Sequence, residues 1–178
     1  MNTEIYYDLL EKSVVDSFAE SLREHIAYVQ EAGRLLGVSE TQLGIHDLSK
    51  WSMDEFIGYA RHFKGGGAPD EFASAWLHHI HFNPHHWQYW IFSDGYTPKD
   101  SNVQNGVVEM PLHYATEMVA DWMGAGRTYT GSWDMTDWLW NHIPKIKIHS
   151  TTAMHLRSIL DSLGYADIVY IKKFLDEE

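Results

Sequence analysis

The chain has 178 residues, 44% of them hydrophobic and 21% charged, the balance of a globular protein long enough to bury a core as one domain spanning 1-178. Its formal charge of −12 excludes a long-range attraction to long nucleic acid or to an anionic membrane surface. No apolar run approaches the roughly 18 residues of a membrane span, and the absence of cysteine excludes a disulfide framework and thiolate chemistry, so a cytoplasmic protein is expected.

Helical periodicity then dominates. Leu22, His25, Ile26, Val29, Gly33 and Leu36 recur at three- and four-residue steps, which predicts one long amphipathic helix from about Lys12 to Leu36. His25 lies on its apolar stripe, and Gly37 suits its end. Ser39 can cap a short helix reaching Ile45, which delivers His46-Asp47. Ser52-Met53-Asp54-Glu55 reads as a capping box that opens a helix to about Phe63. After a break at Gly65, Gly66 and Gly67, Pro69 fits the first turn of a helix on which Phe72, Trp76 and His79 share a face. Asn83-Pro84 predicts the start of another helix, carrying His85, His86, Trp87, Tyr89 and Trp90.

The stretch from Ser93 to Gly106 is loop-like and reads as a plain connection. Pro111 begins a helix with Tyr114, Met118 and Asp121 on one stripe. Three further helices are expected at about 133–142, 151–163 and 166–175. Sustained period-two alternation is lacking, so the fold class is all-α, a compact orthogonal helical bundle rather than a coiled coil.

The chemistry lies in how histidines accompany two aspartates along these helices: His25, His46-Asp47, His78-His79, His85-His86, then Asp121. Burying imidazole and carboxylate together is favourable chiefly when a metal or a full hydrogen-bond set satisfies them. A mixed nitrogen and oxygen donor set suits a divalent transition metal such as Fe, Mn, Co, Ni or Zn. His79 is preferred to His78 because it shares a face with Phe72 and Trp76; His85 and His86 stay equivalent, and His81 reads as a surface residue.

This order resembles the HD-domain superfamily of metal-dependent phosphohydrolases, and most of all its members with extra histidines, which hold two metals. The likeness covers roughly residues 20 to 125. More narrowly, HDLSKWSMDEF, HHIHFNPHHWQYW and EMVADWMGAG look like an uncharacterised family of small HD-like proteins of bacteria and phages. The resemblance implies a one- or two-metal site: His25, His46, Asp47 and Asp121 around one metal, with Asp47 bridging to a second held by two histidines of the later cluster, among them His79 and His85 or His86.

For such a site the expected activity is hydrolysis of a nucleotide or other small phosphoester. Lys50 and then Arg127 are the candidates to hold phosphate, and Glu117, one turn before Asp121, can orient a ligand or a water. Trp51, His62, Trp87 and Tyr114 are candidates for the pocket wall. Asp134 and Asp137 read as helix-start carboxylates, while His113, His142, His149 and His155 fall outside the pattern. Two other readings fit the same donors: a di-iron oxygenase of the HD-like type, and a non-catalytic domain with a structural metal.

Overall fold

The computed structural model describes residues 3–93 and 95–166. The helix expected at about 166–175 therefore lies outside the described residues, apart from its first position. Among the described residues the chain forms seven α-helices and no strand: α1 (Lys12–Leu36), α2 (Glu40–Ile45), α3 (Phe56–Lys64), α4 (Pro69–Phe82), α5 (Leu112–Thr130), α6 (Thr136–His142) and α7 (Ser150–Ser162). The all-α class is as the sequence predicts. No described helix is long and apolar enough to cross a membrane.

Several ends follow from local chemistry. Helix α1 closes at Gly37, whose φ of 81° is left-handed, with the Val38 N–H returning to the Gly33 carbonyl at 2.8 Å. The Ser39 hydroxyl accepts the Gln42 N–H at 3.2 Å and so caps α2. Pro69 occupies the first turn of α4, and Asp134 accepts the Thr136 N–H at 3.0 Å to start α6.

Two expectations are corrected. The Ser52–Glu55 capping box does not form: the Ser52 carbonyl takes the Phe56 N–H at 2.9 Å, α3 begins at Phe56, and the Glu55 side chain turns inward. After Asn83-Pro84 there is no α-helix, only a 3-10 turn at Trp87–Trp90. His86 is extended (φ −91°, ψ 131°), which brings His85 and His86 side by side, with ring centroids 4.4 Å apart. The loop from Ser93 to Gly106 is tied to the start of α7 by Asn102, whose carbonyl lies 3.0 Å from His149 Nε2, and by Gln104, which accepts the Ser150 N–H.

Helix α1 joins two apolar clusters. Val15, Phe18, Ala19 and Leu22 pack with Tyr6, Phe56, Tyr59 and Ala75 near α3 and α4. Val29 and Ala32 pack with Met118, Val119, Leu139 and Leu156 from α5, α6 and α7. Each large aliphatic side chain so buried contributes roughly 1.5–3 kcal/mol. His25 falls between the two stretches of α1, at the seam where the polar groups gather.

Candidate metal centre

Helix α2 ends at Ile45 and the chain turns sharply, with Asp47 in a left-handed conformation (φ 57°, ψ 18°) before the 3-10 turn Leu48–Trp51. This turn aims both His46 and Asp47 into the seam, where they are 2% and 0% exposed. His25 arrives from α1 and Asp121 from α5, the helix packed most closely on α1. His25 Nε2 lies 3.0 Å from Asp47 Oδ2 and 3.1 Å from Asp121 Oδ1; His46 Nε2 lies 3.6 and 3.5 Å from the same two atoms. One ligand atom from each of the four residues falls within 4.8 Å of the others.

The other oxygen of Asp47 faces a second set. Oδ1 is 3.4 Å from His79 Nε2 and 3.5 Å from His85 Nε2. His79, His85 and His86 together form a second group within 4.8 Å. Both members of the adjacent pair thus reach the site, and His78 does not: it is half-buried, with Nδ1 donating to Glu55 at 2.7 Å.

The donor set fits metal on its own chemistry. Nε2 of His46, His79, His85 and His86 and Oδ1 of Asp47 are all buried without a hydrogen-bond partner in the protein. A single buried unsatisfied group costs about 1–3 kcal/mol, and cations held here would satisfy all five at once.

Behind the donors, carboxylates fix the rings. His46 Nδ1 donates to Glu117 at 2.8 Å, and His85 Nδ1 lies 3.4 Å from the same oxygen. Gln42 donates to the other Glu117 oxygen. His79 Nδ1 donates to Glu55 at 2.8 Å, and Asn83 and Ser49 pack beside it, joined by a 2.7 Å hydrogen bond. Binding one ring nitrogen to a carboxylate leaves the other free for metal and more basic.

Electrostatics follow from this packing. Burial pushes the His46 imidazole down, but Asp47, Asp121 and Glu117 outweigh it and raise its pKa to about 10. Burial pushes Asp47 up, yet the Lys50 ammonium and the surrounding imidazoles hold it well below the usual carboxylate range. Asp121 is held low against burial by His25 and His46, and Glu117 is lowered to about 2 against burial by His46 and His85. Burial, followed by the neighbouring His85, depresses His86 strongly and keeps it neutral. Lys50 stays charged despite burial, donating to Asp47 Oδ2 at 2.6 Å.

A cleft of about 920 Å³ opens onto the cluster at His25, Lys50, His86 and Asp121. Lys50 lines this cleft. Arg127 does not, and that expectation is corrected: its guanidinium sits over the Tyr28 and Trp133 rings and donates to the Gly131 carbonyl at the end of α5. Of the proposed wall residues Trp87 lines the cleft, whereas Trp51 packs on Phe56, His62 stacks on Phe72 and Tyr114 lies against Trp90. Sequence reasoning missed Glu55, Gln42 and Tyr59. Only the fold identifies them, since it brings Gln42 to Glu117 and both Glu55 and Tyr59 to His79.

Fold and site define an all-α protein whose buried histidine–carboxylate clusters can hold metal ions. The chain belongs to DUF5662, a family of unknown function, which it matches over residues 15–162. No curated protein and no solved structure matches it.

Proposed function

We propose that the chain is a metal-dependent phosphohydrolase of the HD type, cleaving a small phosphoester such as a nucleotide at a two-metal site. Asp47 carries this reading. Its Oδ2 faces His25, His46 and its Oδ1 faces His79 and His85, so one carboxylate stands between two sets of inward-facing donors. Divalent ions held there would lower the pKa of a coordinated water and neutralise charge developing on the phosphoryl oxygens.

In the reaction the water oxygen would bond to phosphorus as the ester P–O bond breaks, and the proton released by the water would pass to the leaving oxygen. Lys50 has three N–H donors; one is spent on Asp47, and the others are free to hold a phosphoryl oxygen at the cleft floor. Glu117 and Glu55 keep His46 and His79 with Nε2 inward. The acidic chain suits a small substrate in the cytoplasm better than long nucleic acid.

The test is elemental mass spectrometry on tag-free protein, coupled to phosphate release from a nucleotide panel. Two metal ions in the parent, one in His79→Ala, and metal-dependent phosphate release lost in His46→Ala are expected. Bound iron with oxygen consumption and no released phosphate would replace the proposal with the oxygenase reading. Metal whose removal unfolds the chain, again without product, would replace it with the structural one.

A further inference from the structure

The cleft beyond the metal cluster has a composition of its own. Phe63, Phe72 and Trp76 from α3 and α4 line it, and Trp122 and Trp138 from α5 and α6 line it as well. Its volume of about 920 Å³ lies within the range of sites that enclose small organic ligands. Aromatic walls alone would suit any apolar guest. Two buried polar atoms on the same walls narrow the choice. Tyr59 is 5% exposed, and its hydroxyl has no hydrogen-bond partner. The Gln88 side-chain oxygen is likewise buried and unpaired. An alkyl chain would leave both unsatisfied, at about 1–3 kcal/mol each; a flat heterocycle with ring-edge N–H groups satisfies Gln88 while stacking on the rings.

The charges on the walls bear on how many phosphates can enter. Lys50 lies beside the cluster with its charge shared with Asp47. Lys145 is the other lysine among the lining residues, and Asp134 and Asp137 line the cleft from the neighbouring segment. A single phosphoryl group at the cluster would meet Lys50, and the Tyr59 phenol, whose ring centroid lies 5.5 Å from Lys50 Nζ, can donate to it. Two carboxylates against one further lysine make the rest of the lining less favourable to the added charge of a polyphosphate.

We propose that the cleft takes a phosphomonoester of a planar, nitrogen-bearing ring system, of the nucleoside monophosphate class, with the ring between the aromatic walls and against Gln88 and the phosphate at Lys50 and Tyr59. The phosphate end rests on the phosphohydrolase reading; the ring end rests on the cleft alone. The experiment compares phosphate release by the manganese-loaded full chain from nucleoside 5′-monophosphates, nucleoside triphosphates and glycerol phosphate. It adds tryptophan-fluorescence titrations with free nucleosides, since Trp76, Trp87, Trp122 and Trp138 line the cleft.

Stacking and edge contacts together predict a preference of about tenfold or more in kcat/KM for nucleoside monophosphates over glycerol phosphate. Triphosphates should be poorer substrates than monophosphates. Tyr59→Phe should raise KM for the monophosphate several-fold, and Gln88→Ala should weaken free-nucleoside binding, both with unchanged metal content. Equal use of glycerol phosphate, or better use of triphosphates, overturns the inference while leaving the phosphohydrolase reading in place. Free nucleosides that leave the fluorescence unmoved overturn the ring site. If no ester releases phosphate the phosphohydrolase reading fails, and the nucleoside titration then decides the ring site by itself.

Discussion

Asp47 performs two tasks that a single substitution separates. Its left-handed backbone turns the chain inward after α2, and its carboxylate stands between the two donor sets. Asparagine tolerates that backbone nearly as well as aspartate, whereas alanine does not. Asp47→Asn should therefore fold and bind neither metal, while Asp47→Ala should add a backbone penalty of about 1–2 kcal/mol. Elemental analysis and urea denaturation of the two variants distinguish the effects. Protons compete for the same atoms. For the metal-free chain, His46 has a pKa raised from 6.5 to about 10, so its stabilisation is full below 6.5 and lost as pH rises through 10. Glu117 is lowered from 4.5 to about 2, so its share is full above 4.5 and lost as pH falls toward 2. Burial lowers the pKa of His79 and His86, so their share is full above 6.5 and lost as pH falls below it; in chelator the protein should therefore be most stable near pH 6.5, falling off on both sides. Metal must displace the His46 proton, so affinity should rise with pH where metal-free stability falls. Calorimetric titration in buffers of different protonation enthalpy reads the released proton; no proton release would show that His46 binds no metal.

Elements differ in how far the sequence foretold them. Helix α1 was legible at both ends because its signals are local: an apolar stripe of period 3.6 and a glycine after it. The helix expected after Pro84 was not, because two inward-facing histidines hold that segment extended, a tertiary demand that overrides the local start signal. Glu55 was misread for the same reason: its partners His78 and His79 lie on another helix. The packing of α1 on α5 has its own test at Gly124, where an added Cβ would lie 2.5 Å from Val29 Cγ2 and 2.7 Å from the Val29 backbone nitrogen. Gly124→Ala should cost about 1–3 kcal/mol by forcing the helices apart. Because His25 and Asp121 ride on those helices, metal affinity should fall as well. Gly44→Ala meets nothing within 4 Å and should leave both unchanged or slightly improved. Equal behaviour of the two variants in denaturation and metal titration would refute the close approach.

At the scale of the whole molecule, the histidine–carboxylate cluster sits where two apolar clusters meet along α1. Ligands that bind only the folded chain stabilise it by about 2.7 kcal/mol at a hundredfold excess over Kd. For a chain of this size that is a rise in Tm of roughly 5–10 °C. Each apolar cluster has its own buried residues, so the chelated protein should keep its helical circular dichroism at room temperature. Collapse on chelation would instead mark a structural metal. The ligand types were readable as a spaced pattern of histidine and aspartate, but the cleft was not, since its walls come from positions 25 to 146 and only folding assembles them. Glu117 has a last consequence at this scale. It receives the Nδ1 proton of His46, which serves one donor set, and lies 3.4 Å from Nδ1 of His85, which serves the other. On the proposed two-metal reading the two positions would share one carboxylate as a common support, and any effect of filling one on the affinity of the other would be reciprocal. Metal uptake should be cooperative or sequential, with Glu117→Gln bringing the two steps toward independence.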